Sequence, residues 1–392
     1  MKKKILLMLV LALVGSLAVF AGGSKESAGS AAATIGFIGP LTGDNANYGI
    51  LTSQAARLAV EQFNAKGGIA GTPVTLRLED SEGNAEKALA AIEKLSGTDK
   101  IVALAGPVFT GESFAVGERV QNEGIAMISP SATHKDITAI GNYVFRTVVS
   151  DGLQGEVAGN YFYEVLGYRN IAVLYAKNDY SQGLYEGMSA SFVARGGKIV
   201  IAETLMVGDK DFKTQLTKIR AANPEAIYIP NYTAEMAQIL EQANQLGITV
   251  PFLSCDGFSD PAIYDLAGNF THGVIYLGPA KVAQNEVYDK FLADYQAKWG
   301  VGPDSFATNM FDGTNIILNA LKSVHAATGG FDRAKVRDAI AATKDYIGAN
   351  GVINFAENGD LVAYQGVYKV NGKTPEYLGT YTVENGKLIK LD

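Results

Sequence analysis

The sequence predicts an α/β protein of two Rossmann-like, flavodoxin-like lobes joined by a multi-strand hinge. Three observations predict it. Short β-branched runs alternate with longer helical patterns from Thr34 onward, the signature of βαβ units. The order of these units repeats once along the chain. The length of 392 residues, 47% hydrophobic and 19% charged, is enough for two packed cores.

In the first half, strands are expected over 35–39, 74–79, 101–105 and 125–129, with helices over 52–65, 85–97 and 112–123; Lys66-Gly67-Gly68 supplies a helix stop. In the second, strands over 171–175, 198–203, 226–229 and 252–254 alternate with helices over 182–194, 212–222 and 234–246. Each half opens in the same way: Asn47-Tyr48-Gly49 precedes Gly67-Gly68, and Asp179-Tyr180 with Gly183 precedes Gly196-Gly197. Glycine punctuation is common to all βα units, so the matched order of four units carries the duplication.

After Tyr276 the pattern changes to helices over 287–299, 309–328 and 333–343, then glycine-rich hairpin-like segments to Asp392. Such material completes sheets begun earlier, which requires crossings between lobes, expected near Ser150, Lys281 and Phe355. The expected first lobe is 34–150 plus 281–355, and the second 151–280 plus 356–392.

Residues 1–21 read as a cleaved secretory signal peptide: Lys2, Lys3 and Lys4, an apolar run broken at Gly15-Ser16, then Val19-Phe20-Ala21. Residues 22–33 have the composition of a flexible tether. A lipid anchor would need a cysteine behind the leader, but position 22 is Gly and the single cysteine is Cys255. One cysteine also excludes an internal disulfide, and Cys255 is expected to be buried and inert. The formal net charge is −7, and loss of the three leader lysines takes it to −10, which disfavours nucleic acid and anionic lipid.

In an open parallel sheet, ligands gather at the carboxyl ends of strands. In the first lobe those ends carry Tyr48, then Phe109-Thr110, then Ser131 and Thr133. Thr110, Ser131 and Thr133 supply hydroxyls, and a helix starting near Glu112 offers free N–H groups and its positive dipole end, a set suited to a carboxylate. Hydroxyls here also serve as ordinary helix caps. The second lobe presents Tyr180, Tyr232 and Asp256, the one carboxylate among its strand ends, so an ammonium would find charge and π-faces there. Asp256-Gly257 also has the composition of a turn. Phe109 and Phe306 can wall an apolar remainder.

Catalytic sets are missing. His134, His272 and His325 lack metal-ligand spacing, and there is no phosphate loop or nucleophile motif. No enzyme activity, metal or cofactor is expected. His134 follows the hydroxyl cluster and reads as a pocket residue or a solvated loop histidine.

At these residues the sequence resembles the periplasmic receptors of branched-chain amino acid ABC importers, of the type I periplasmic binding protein fold. The resemblance covers the chain from about Thr34 to Asp392. It rests on Ile38-Gly39-Pro40-Leu41-Thr42-Gly43, Asn64-Ala65-Lys66-Gly67-Gly68-Ile69, the stretch from Gly124 to Thr133, the segment around Tyr180, and Tyr232 through Leu240. It implies an extracytoplasmic, non-enzymatic receptor that closes on a free α-amino acid, branched-chain or otherwise aliphatic. The receptor would act as a monomer and hand its ligand to membrane permease and ATPase subunits. In this family Thr110 would hold the ligand carboxylate, Ser131 and Thr133 carboxylate and ammonium, and Asp256 the ammonium, with Asp replacing the usual Glu. Tyr48, Tyr180, Tyr232 and Phe306 would line the pocket. Thr308-Asn309 puts polar groups near a wall that is often apolar, which leaves the side-chain preference open. Relatives of the fold also bind aromatic acids, amides or urea-like solutes, or serve as sensory modules. The retained Asp256 argues against simple acids, and the lack of a second membrane segment argues against a sensor.

Overall fold

The computed structural model describes residues 32–281 and 285–392. The expected signal peptide and nearly all of the tether lie outside those residues. The first lobe is built from β1 (Thr34–Gly39), α1 (Ala46–Ala65), β2 (Thr75–Asp80), α2 (Ala85–Gly97), β3 (Ala103–Ala105), α3 (Thr110–Glu123), β4 (Ala126–Ser129) and β5 (Val144–Arg146). Its five strands are all parallel in the order β2-β1-β3-β4-β5. β1, β3 and β4 are buried nearly throughout, as parallel strands covered on both faces must be.

The second lobe contains α4 (Asp151–Asn160), β6 (Asn170–Ala176), α5 (Asp179–Ala194), β7 (Lys198–Leu205), α6 (Lys213–Ala221), β8 (Ala226–Tyr228), α7 (Thr233–Gln245), β9 (Phe252–Ser254) and β10 (Ile275–Pro279). The order β7-β6-β8-β9-β10, again parallel, repeats that of the first lobe strand for strand. The duplication read from the sequence is therefore a duplication of topology. Both sheets reverse their winding between the first and third strands, and each reversal opens a crevice at the carboxyl ends.

The remaining chain serves both lobes. Helices α8 (Glu286–Trp299) and α9 (Ser305–Thr328) bury Phe291, Phe306, Phe311 and Leu321 in the same core as Ile35 and Phe37 of β1. Tyr295 Oη donates to the Leu51 carbonyl at 3.0 Å. After α10 (Arg333–Ala341) and the small hairpin β11 (Tyr346–Gly348) and β12 (Gly351–Ile353), the chain adds an antiparallel meander to the second sheet: β13 (Gln365–Asn371) pairs with β10, β14 (Thr374–Glu384) with β13, and β15 (Lys387–Lys390) with β14. Between them Asp360 binds back to the first lobe: it accepts from the fully buried Arg146 at 2.7 Å and from Thr138 at 2.9 Å.

Several starts differ from expectation, each because a side chain caps the helix earlier. Asp304 accepts from Ala307 N, so α9 begins at Ser305 rather than 309. Asn178 accepts from Ser181 N, which places Tyr180 inside the first turn of α5. The carboxylate of Glu112 accepts from Phe109 N at 2.9 Å, so α3 begins at Thr110 and not at 112. Strand β5 and helix α4 were not expected: three residues carry no periodicity, and α4 is glycine-rich.

That glycine content has a use. α4 packs directly on α5, and a Cβ at Gly155 would lie 2.7 Å from the Gly187 carbonyl carbon; at Gly159 it would lie 2.5 Å from Phe192 N. Only hydrogen fits between these backbones. Replacing Gly155 with Val should lower the free energy of urea unfolding by about 1–3 kcal/mol, the usual cost of overpacking. An unchanged midpoint would mean the helices are not in this contact.

Candidate functional site

The two crevices face each other, and side chains from both meet between them. Tyr48 stands in the first turn of α1, just beyond β1; Thr110 opens α3 beyond β3; Ser131 and Thr133 follow β4. From the other side come Tyr180 in the first turn of α5, Tyr232 immediately before α7, and Asp256 beyond β9. Phe306 enters from the first turn of α9.

The aromatic rings form one continuous cluster. Tyr232 lies between Phe109, at 4.3 Å between ring centroids, and Tyr180, at 4.8 Å, both near-parallel. Tyr48 packs on Phe109, Tyr232 and Phe306 at 5.4, 5.9 and 5.6 Å. Rings from both lobes are thus in contact, and the lobes are closed on each other. Tyr48 Oη also crosses the cleft, donating to the Gly257 carbonyl at 2.9 Å and sharing a 2.8 Å hydrogen bond with Thr233.

Asp256 is 5% exposed, and the side chains that hydrogen-bond to it are neutral. Tyr180 Oη donates to its Oδ1 at 2.8 Å and Gln154 Nε2 to the same oxygen at 3.0 Å, while Gln154 Oε1 accepts from Asp256 N at 2.9 Å. Burial pushes its carboxyl up, and the Gln154 and Tyr180 hydrogen bonds oppose this. Asp256 therefore begins a 3-10 turn, as its composition suggested, but the turn delivers a buried carboxylate into the cleft.

A second acidic residue, not found from the sequence, stands beside it. Asp151, the first residue of α4, is 2% exposed; Gln154 Nε2 donates to its Oδ1 at 3.3 Å as well, bridging the two carboxylates. Burial raises its pKa strongly, and the neighbouring Asp256 charge raises it further. Its Oδ2 makes no well-formed hydrogen bond among the described residues, and the Thr133 side chain lies close enough to oppose the rise. From sequence, Ser150-Asp151 carries only a helix-start signal, and Ser150 does cap α4 by accepting from Gly152 N.

On the facing lobe, Thr110 and Thr133 are fully buried with hydroxyls that lack a well-formed hydrogen bond among the described residues. Neither hydroxyl caps its own helix. The Thr133 backbone is fixed, its carbonyl accepting from Arg146 Nη1 and Asp151 N, each at 2.7 Å. Ser131 differs from expectation: its hydroxyl donates to the Val108 carbonyl at 2.5 Å, because the β4 loop folds over the β3 loop, so only its lone pairs and its backbone face a ligand. Glu112, also missed, ties this rim together by accepting from Ser81 Oγ and Phe109 N.

A cavity of about 240 Å³ adjoins this cluster, lined by Gln154, Asp256, Phe306, Asn309, Asn350 and Gln365 among others. Of the ligand residues expected from sequence, only Asp256 and Phe306 line it, with Asn309 of the polar Thr308-Asn309 pair beside them. Asn309 is engaged structurally, donating to the Pro130 carbonyl and accepting from Asn350. His134 packs edge-on against Phe114 at 5.1 Å and is partly buried, neither a member of the cluster nor a solvated loop residue. Cys255 is fully buried, and burial pushes its thiol up, as an inert cysteine requires. No group of three or more His, Cys, Asp or Glu suited to a metal occurs among the described residues.

A buried acidic pair in one lobe and two buried hydroxyls without well-formed hydrogen bonds in the other, one of them at the N-terminus of α3, lie beside the aromatic cluster. Such a site can meet a small zwitterion end to end: hydroxyls and helix N–H groups for an anion, carboxylates for a cation.

The sequence model of the family described as periplasmic binding protein matches residues 32–374. The Leu/Ile/Val-binding protein homolog 3 of Brucella melitensis is 30% identical over 352 residues, covering 90% of this chain and 94% of that protein. A leucine-binding protein of Thermotoga maritima superposes with a TM-score of 0.81 at 28% identity, covering 89% of this chain and 98% of that one. A branched-chain amino acid transporter substrate-binding protein of Streptococcus pneumoniae, solved with isoleucine, gives a TM-score of 0.81 at 27% identity, with coverage of 92% and 100%.

Burial raises the Glu112 carboxyl from its ordinary 4.5 to about 7. The folded protein therefore holds this proton more tightly than the unfolded chain, so Glu112 makes stability fall as pH rises from about 4.5 to about 7, by ~3 kcal/mol at most. In Glu112→Gln, the slope of unfolding free energy against pH should become less negative by about one proton across that window; an unchanged slope would show that Glu112 does not titrate there.

Proposed function

We propose a function from one premise, that this chain belongs to the periplasmic binding protein family: it is a receptor that captures a free α-amino acid between its lobes and delivers it to an ABC importer. The family is one of extracytoplasmic binding receptors and not of enzymes. The observation that supports the amino-acid reading is the pairing of the buried Thr110 and Thr133 hydroxyls, neither in a well-formed hydrogen bond, in one lobe with the buried Asp151–Asp256 pair in the other, Thr133 lying beside Asp151.

In this reading the ligand carboxylate docks first on Thr110, on the Ser131 and Thr133 backbone and on the N-terminus of α3. The second lobe then swings in and meets the ammonium with Asp256, supported by Asp151. Tyr48, Tyr180, Tyr232 and Phe306 enclose the side chain, which is branched-chain or otherwise aliphatic, the ligand type named for the relatives. Burying either charge unpaired costs several kcal/mol, so each end needs its own reader. Closure is stabilised only by contacts that exist when closed. The hinge consists of the passages near Ser150, near Lys281 and around Phe355, dividing the chain into 34–150 with 281–355 and 151–280 with 356–392. The receptor is a monomer released by cleavage after Ala21, and its partners are a membrane permease and ATPase.

A thermal-shift panel of amino acids and aromatic acids on mature protein tests this. Ligand at a hundredfold excess over Kd adds about 2.7 kcal/mol of stability. Amino acids, aliphatic ones foremost, should raise the midpoint; shifts with aromatic acids alone would contradict the reading. Asp256→Ala should weaken amino-acid binding by about 2–5 kcal/mol in calorimetric titration. Equal affinity in that variant would remove the ammonium assignment.

A further inference from the structure

Two asparagines at the start of α1 spend their side chains on the opposite lobe. Asn45 occupies the N-cap position of α1 but makes no side-chain hydrogen bond to its own helix. Helix α7 of the second lobe begins after Tyr232, whose side chain likewise offers no cap. The two facts join across the cleft: Asn45 Oδ1 accepts from Ala234 N, the second residue of α7, at 3.3 Å. A cap side chain ordinarily meets the N–H of the second or third helical residue. Asn45 takes that place from the other lobe. Its Nδ2 also lies 3.5 Å from Glu235 Oε2, whose other oxygen accepts from Gly208 N.

Two residues on, Asn47 Nδ2 donates to Asp260 Oδ1 at 2.6 Å. Asp260 is 1% exposed, and its Oδ1 also accepts from Ala262 N. Neither asparagine is among the residues assigned to the ligand. Nearby, Lys210 and Asp44 form an exposed ion pair at 2.6 Å, the kind that contributes little.

We propose that Asn45 and Asn47 form a clasp that caps α7 in trans and completes Asp260 only when the lobes are closed, setting affinity without touching the ligand. Opening the cleft separates these partners, so the hydrogen bonds add to the closed side of the equilibrium whichever ligand is bound. The proposal rests on closure around a ligand, not on which ligand it is.

The test titrates wild type, Asn45→Ala, Asn47→Ala and Lys210→Ala with leucine, alanine and benzoate, with small-angle scattering at saturation. Asn45→Ala should weaken every ligand that binds wild type by the same factor, about five- to tenfold, as expected for a lost cap. Asn47→Ala, which leaves a buried carboxylate short of a donor, should weaken them by about tenfold or more. Lys210→Ala should change little. Rank order among ligands should be unchanged, and saturated variants should reach the wild-type radius of gyration, which also shows that they fold. Affinities that stay at wild-type values, or that shift for one ligand and not another, would overturn the clasp. Binding of benzoate alone would instead defeat the amino-acid reading, and the clasp would be judged on benzoate.

Discussion

A buried carboxylate whose immediate partners are neutral is the feature on which the rest of this molecule turns. Asp256 is held by a phenol, an amide and the backbone, and Gln154 links it to Asp151, a second buried carboxylate with one oxygen lacking a well-formed hydrogen bond. Two such groups in one closed cleft are costly to keep ionised. Burial and mutual repulsion favour the protonated forms, and an arriving cation reverses that preference. The second lobe therefore gains most from closing when something positively charged lies between the lobes.

The first lobe supplies the other half of the requirement. Thr110 and Thr133 are oriented by backbone rather than by their own hydroxyls, with the Thr133 carbonyl doubly held by Arg146 and Asp151. Arg146 in turn is anchored to Asp360, so the segment leading back to the second sheet is tied to the rim that presents the hydroxyls. Ring contacts among Tyr48, Phe109, Tyr232 and Tyr180 wall the space beside these groups with apolar surface, and electrostatics are stronger where such surface replaces water.

Much of this was legible in the sequence, for reasons that differ by element. Buried parallel strands are β-branched runs at regular spacing, so the duplicated order is legible in the sequence, and strand ends in such sheets are where ligands gather. Asp256 stood out because it lies just beyond the fourth strand of the second half, at the end that faces the cleft. What escaped notice lacks a local signature. β5 is three residues long, α4 looks like a loop because its glycines serve close packing against α5, and Asp151 resembles an ordinary helix start. The commitment of the Ser131 hydroxyl to Val108 and the reach of Asn45 into α7 are tertiary facts, set by how one loop lies over another. Helix starts moved by a few residues wherever a capping side chain, such as Asp304 or Asn178, acts ahead of the first apolar position.

The central claim is that the two lobes divide a zwitterion between them. Calorimetric comparison of leucine with its deaminated analogue 4-methylpentanoate and its decarboxylated analogue 3-methylbutylamine isolates that claim, since all three share one side chain. Leaving either buried reader unmatched should cost several kcal/mol, so both analogues should bind at least about a hundredfold more weakly than leucine. Binding of 4-methylpentanoate as tightly as leucine would show that Asp256 and Asp151 do not read an ammonium, and the division of labour would be wrong.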